Sequence, residues 1–269
     1  MERWTEEDLE LVKEKYKDSK EVLLKTFPNR SYNQIKGKIN DLGFRRRKNL
    51  ELNRSFFSTI TQESAYLLGV LEAEGSINKN KIVFGISSKD SNWFYSIVSL
   101  TGSKATVRLQ VSGGFASNYP GIYIDFCSKQ WVEDLDKLGF RKGHLPKIPN
   151  KYLKHYMRGY FDGDGTICWD KDNRCYISSF YGHPETLIEE IRDTINLDFQ
   201  KVRKGPTCWI TRGYREPTAK LIEYFPRPET YMLDRKTKLI ELASKVNFLP
   251  KQQRYLHVEL DGEQVKVSE

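Results

Sequence analysis

The chain has only four cysteines in 269 residues, Cys127, Cys168, Cys175 and Cys208, and no two of them stand at C-x-x-C spacing. That argues against both a disulfide framework and a cysteine-based zinc site, and it predicts reduced thiols in a cytosol-like compartment. No apolar run approaches the roughly 20 residues that span a bilayer. Met1-Glu2-Arg3-Trp4 opens no secretory leader. The expected location is therefore cytoplasmic, including a nucleoid or organelle matrix, with no membrane partner. Acidic residues are the minority charge, 36 Asp and Glu against 44 Lys and Arg, for a net charge of +8. A basic surplus favours an anionic partner, nucleic acid first. The length allows one or two domains with a real core, and 15 Tyr, 14 Phe and 5 Trp supply bulk for it.

Two stretches share an unusual pattern. Ala65 to Ile77 reads A-Y-L-L-G-V-L-E-A-E-G-S-I, and His155 to Ile167 reads H-Y-M-R-G-Y-F-D-G-D-G-T-I. Each is an apolar run with small residues four apart, Gly69 and Ala73 in the first and Gly159 and Gly163 in the second. Positions i and i+4 share a helix face, so each run predicts a helix with a flat stripe on which another backbone can pack. Each also ends acid-small-acid-glycine, which puts carboxylates in a last turn where the macrodipole prefers cations. Gly75 and Gly165 are expected to close these helices as left-handed caps.

If the helices pack stripe to stripe, their ends meet, and the misplaced acids point to a cation held between them. The two acids of one motif are two residues apart and do not share a face. Glu74 and Asp164 are expected to reach past the helix ends to the metal, while Glu72 and Asp162 serve the helix end or the fold. Ala73 and Gly163 are expected to add carbonyl oxygens, which are free at a helix C-terminus. Two core helices with frayed acidic ends are the alternative.

These runs resemble the paired motifs of the LAGLIDADG homing endonucleases, with Leu67–Gly75 and Met157–Gly165 at the positions of that nine-residue pattern. The departures are Glu72 and Glu74 in place of aspartate, and Arg158 and Tyr160 in place of smaller apolar residues. The resemblance implies an α/β (α+β) fold of two pseudo-symmetric αββαββα halves with antiparallel saddle sheets. It further implies a monomer that hydrolyses double-stranded DNA at a specific sequence. Magnesium suits an all-oxygen donor set because it keeps waters and takes phosphate oxygens; manganese is the other divalent candidate.

The rest of the chain fits that plan. Residues 1–50 predict three short helices, with Thr5, Ser19 and Ser31 as starts. From Lys25 to Lys48 eight Lys or Arg stand against Asp41 alone. The layout and the W-T-x-x-E/D opening, here Trp4-Thr5-Glu6-Glu7-Asp8, resemble a Myb/SANT-like helix-turn-helix, in which the third helix enters the major groove. That implies groove contacts by Tyr32, Asn33, Lys36 and Lys38, and phosphate contacts by Arg45, Arg46 and Arg47. A basic helix in a protein-binding bundle is the alternative. Residues 51–63 are expected to be a linker, 64–149 and 150–249 the two halves, and 250–269 a polar tail.

Within the halves, alternation predicts strands at Lys81–Ser88, Ala105–Ser112, Tyr119–Cys127, Thr166–Trp169, Cys175–Tyr181, Phe199–Arg203 and Thr207–Arg212. Both halves carry an Arg-Lys pair, Arg141-Lys142 and Arg235-Lys236, at similar offsets beyond their acids. By resemblance Lys142 and Lys236 line the active site. DNA contacts are expected from Lys79, Asn80, Lys81, Arg108, Gln110, Tyr119 and Tyr123 in the first half. In the second they are expected from Lys171, Asn173, Arg174, Lys201, Arg203, Lys204 and Arg212. A catalytically inactive DNA-binding regulator or an RNA-splicing maturase on the same fold is the alternative function. An intein is disfavoured, because the sequence neither opens on Cys or Ser nor ends on His-Asn.

Overall fold

The structure is a computed structural model that describes residues 4–16, 18–44, 51–78, 81–110, 120–247, 258–260 and 263–265. The chain divides into two units, residues 1–50 and 51–269. The smaller holds α1 (Glu6–Lys15), α2 (Lys20–Thr26) and α3 (Tyr32–Asp41). Thr5 and Ser31 form capping boxes with Asp8 and Gln34, and the Ser19 side chain accepts from the Val22 amide, so each start has a local cause. Val12, Leu23, Phe27, Ile35 and Ile39 close the core, with Tyr16 stacked on Phe44 at 4.8 Å.

The larger unit repeats one order of elements. Its first half runs α4 (Gln62–Glu74), β1 (Gly75–Asn78), β2 (Lys81–Ser87), α5 (Ser91–Leu100), β3 (Arg108–Gln110), β4 (Gly121–Cys127) and α6 (Lys129–Lys137). Its second half runs α7 (Asn150–Asp164), β5 (Gly165–Asp170), β6 (Cys175–Gly182), α8 (Glu185–Ile195), β7 (Arg203–Lys204), β8 (Trp209–Tyr214) and α9 (Glu216–Tyr224). Helix α10 (Asp234–Asn247) follows. In the region expected as a polar tail, β9 (Val258–Leu260) pairs with β10 (Glu263–Val265). The two four-stranded sheets are antiparallel, ordered β1-β2-β4-β3 and β5-β6-β8-β7, so the expected αββαββα duplication is present. Among the described residues no helix is long and apolar enough to cross a membrane.

Strand alternation positions the site. Ile82, Phe84 and Ile86 of β2 and Ile122, Ile124 and Phe126 of β4 are buried, and the residues between them form the open face. Residues 51–63, expected as a linker whose Phe56, Phe57 and Ile60 dock on the next domain, fall within the larger unit, with these three side chains packed into or against its core. Phe57 is buried against Trp131 at 4.9 Å between ring centres, and the Trp131 indole N–H donates to the Asn53 carbonyl at 2.8 Å.

One buried group makes the fold sensitive to acid. His155 on α7 is buried, its Nδ1 has no partner among the described residues, and burial lowers its pKa from the usual 6.5. The unfolded chain therefore takes up a proton that the folded chain resists. Its contribution to stability is intact above pH 6.5 and is lost as pH falls through and below that value. Comparing Tm against pH for wild type and His155→Gln should show the flatter profile in the variant between about pH 7 and 5; parallel profiles would refute the assignment.

Candidate functional site

The site begins with two helices that touch backbone to backbone. A Cβ placed on Gly69 would lie 2.0 Å from the Tyr156 carbonyl oxygen, and one on Gly159 would lie 2.0 Å from that of Tyr66. One on Gly163 would lie 2.4 Å from the Ala73 methyl and 3.3 Å from Glu74 Cγ. The predicted stripes on α4 and α7 thus face each other, and glycine is required because no side chain fits between the helices. This approach brings Glu74 and Asp164, the last residues of their helices, to one place.

The expectation of left-handed caps is corrected. Gly75 and Gly165 are extended, with φ/ψ of −94/165° and −90/165°, and each is the first residue of a strand. Glycine stands there for space instead. A Cβ would lie 2.6 Å from the carbonyl oxygen of Leu71 at Gly75, and 2.6 Å from that of Phe161 at Gly165. The helix therefore turns directly into a strand, and the acid before it stays at the seam between the halves.

Both acids are half-buried, and the cost of desolvating charge dominates their electrostatics. Burial raises the pKa of Glu74, and the nearby Asp164 charge raises it further, against Lys236 and Lys142. Burial likewise raises Asp164, with the same two lysines opposing. Two carboxylates that resist ionisation side by side are suited to a bound cation.

The lysines differ. Lys142 is exposed, and its ammonium lies 3.4 Å from the Ala73 carbonyl oxygen. Lys236 is buried and donates to the carbonyls of Phe161, Asp162 and Gly165 at 2.7 Å each, with Gly163 farther away at 3.2 Å. Burial depresses its pKa to about 8 despite the acids around it. An ammonium has three protons, so the three short contacts satisfy it and the Gly163 carbonyl keeps acceptor capacity.

The inner acids organise the loops that carry these lysines. Glu72 accepts the Gly143 N–H at 2.7 Å, next to Lys142, and its other oxygen is buried without a partner among the described residues. Burial pushes its pKa up to about 7. Gly143 has φ +93°, a conformation that favours glycine at this turn. Asp162 accepts the Leu233 N–H at 3.1 Å, the Tyr66 hydroxyl at 2.7 Å and the Arg158 Nε at 3.0 Å. Arg158 also donates to Thr237 at 2.7 Å, and the Trp93 indole donates to Tyr66 at 2.9 Å. The unusual arginine of the second motif is therefore the buried partner of its inner acid. Sequence reasoning also missed Arg235, which grips Asp90 through two bonds of 2.9 and 3.0 Å and so ties the halves together beside Glu74.

Arg45, Arg46, Arg47, Lys79, Asn80 and Tyr119 lie outside the described residues. On α3, Asn33 and Lys36 are exposed, and Asn40, not anticipated, shares their face. Tyr32 is half-buried, and Lys38 lies over the Trp4 ring at 5.9 Å. On the first sheet Tyr123 covers Gly85 and Gly121, while Lys81 and Arg108 both pair with Asp125, at 2.7 and 2.5 Å. Gln110 is exposed on β3, and Ser76 and Asn78 of β1 join the open face.

On the second sheet Arg212 stands opposite Ser179, beside Tyr181 and Tyr214. Its Nε and the Ser179 hydroxyl are buried without partners among the described residues. Lys171, Lys201, Arg203 and Lys204 are exposed. Asn173 is engaged by the Asp170 side chain in its own turn, where Arg174 takes a positive φ of 49°.

No family model matches the chain, and no curated protein matches it. Among solved structures it is similar to the LAGLIDADG meganuclease I-AabMI bound to uncleaved DNA. That match has TM-score 0.50 and 14% identity, and covers 72% of this chain and 93% of that one. A point mutant of I-SmaMI, a LAGLIDADG homing endonuclease, is similar at TM-score 0.50 and 12% identity, covering 73% and 94%. At such identities the likeness is one of fold.

Proposed function

We propose that this chain is a sequence-specific endonuclease that hydrolyses double-stranded DNA, with a divalent cation, magnesium or manganese, held by Glu74 and Asp164. The observation that carries this reading is the convergence of two helix C-termini, each ending in a half-buried carboxylate, at a seam with lysines from both halves. A role in folding alone gives no reason to gather carboxylates that burial and mutual repulsion both disfavour.

The donor set fits the ion. Among the described residues no cluster of three or more His, Cys, Asp or Glu is placed to hold a metal. The seam offers two carboxylates and the carbonyls of Ala73 and Gly163, all hard oxygens, and suits an ion that keeps several waters. When bound, such an ion supplies Lewis acidity and a more acidic water. Hydrolysis forms a bond from water oxygen to phosphorus and breaks the bond from phosphorus to the leaving oxygen, which gains a proton. The chain's own task is to place the scissile phosphate at the seam and to balance its developing charge with a lysine.

The open faces of the two sheets then read the duplex, with Arg212, Tyr123, Lys81 and Arg108 as contacts. The smaller unit adds a helix-turn-helix, with Asn33, Lys36 and Asn40 on its outward face. Both halves lie in one chain, so a monomer completes the site. The fold neighbour bound to DNA supports this reading.

Incubation of the protein with a randomised duplex library, in magnesium and in EDTA, is the test. A defined subset of sequences should be cut in magnesium and none in EDTA. Selective binding with no nicked or linear product would leave a regulator or maturase instead.

A further inference from the structure

The halves share one plan but are not equally tied down, and the difference falls on the groups nearest the chemistry. Lys236 is 4% exposed and uses all three protons on the carbonyls of Phe161, Asp162 and Gly165. Lys142 is exposed and holds one long contact, 3.4 Å to the Ala73 carbonyl. The inner acids divide the same way. Asp162 has both oxygens taken, by Arg158, Tyr66 and the Leu233 amide. Glu72 has one oxygen on the Gly143 amide and the other buried without a partner among the described residues.

We infer that the two lysines do different work: Lys236 is a positioning residue that caps α7 beside Asp164, whereas Lys142 alone is presented to a scissile phosphate, so the strands are cut in sequence, the Lys142 strand first. The inference rests on the endonuclease reading above. A two-fold related pair of halves meets the two strands of a duplex in equivalent ways, one half to each. For Lys236 to reach a phosphate it must leave carbonyls at the end of α7, which strands buried acceptors. Lys142 gives up one weak contact and stays in water until DNA arrives. The chemistry on each strand is the same hydrolysis; what differs is whether a mobile ammonium is there to meet the charge that builds on phosphate oxygens.

The experiment uses the full chain and a cleaved member of the randomised library, placed in a supercoiled plasmid and in a duplex labelled differently on each strand. Wild type should accumulate nicked plasmid, with one strand cut at least about 10-fold faster than the other. Lys142→Met should slow that strand about 100-fold and the other by less than about 3-fold, with Tm and DNA binding in EDTA unchanged. Lys142→Arg should restore part of the fast rate. Lys236→Met should lower Tm and slow both strands in equal proportion. Equal strand rates without a nicked intermediate would overturn the inference while leaving the endonuclease reading intact. So would a Lys236→Met protein that keeps its Tm and loses one strand only. Wild type that cuts no library member would remove both, and the Tm of Lys236→Met would still report its capping role.

Discussion

Replacing Asp164 by asparagine should reduce DNA cleavage by about 1,000-fold or more while DNA binding in EDTA stays within a few-fold of wild type. Asparagine keeps the shape of the side chain and removes the charge. Packing at the α4–α7 seam, where Gly163 lies against Ala73 and Glu74, should therefore survive. The stability side has a definite sign. Burial holds the pKa of Asp164 above its ordinary 3.8, so the ionised group opposes folding at neutral pH. Neutral asparagine relieves that opposition, along with the repulsion between Asp164 and Glu74. The variant should melt at or above the wild-type Tm, as expected where a site is kept in place against the stability of the fold. A purely structural acid would behave in the opposite way, with a lower Tm and cutting lost only in proportion to unfolded protein.

The second large effect is on folding. Gly159→Val should destabilise the larger unit by about 4 kcal/mol or more, or leave no folded protein. A Cβ at that position lies 2.0 Å from the Tyr66 carbonyl oxygen and 3.1 Å from the Val70 nitrogen, so only separation of the helices makes room. Both contacts are with backbone, which has no rotamer to move. Gly37 in α3 is the matched control. Among the described residues nothing lies within 4 Å of its Cβ position, so Gly37→Ala should instead stabilise by up to about 1 kcal/mol through helix propensity. Urea unfolding of the two variants reads both signs. Equal small effects would mean that α4 and α7 are not in backbone contact.

These cases mark which parts of the fold could be read from the sequence. The stripes Gly69–Ala73 and Gly159–Gly163 were legible because i to i+4 spacing is local, and helix geometry turns it into a face. The duplication was legible because motif, strands and Arg-Lys pair recur in the same order. Groups whose role depends on a distant partner were not. The carbonyls that hold Lys236 lie 71 to 75 positions away, and Arg235 meets Asp90 across 145. Arg158 read as a departure from pattern because it replaces a smaller apolar residue; its pairing with Asp162 four residues on is local, but the contact with Thr237 that completes it is 79 residues away. Gly75 and Gly165 misled for another reason. Glycine after a helix usually marks a left-handed cap, but here it marks crowding by the preceding turn, and both causes leave the same letter in the sequence.

On the proposed reading Glu74 and Asp164 hold a divalent ion against DNA at the seam of the two halves. Anomalous diffraction from crystals of the protein bound to a cleaved-library duplex and soaked in manganese tests it most directly. An anomalous peak should stand within coordination distance of a carboxylate oxygen from each residue, about 2.0–2.2 Å away, and in contact with a backbone phosphate. Manganese bound elsewhere on the complex, with the two carboxylates unoccupied, would contradict it.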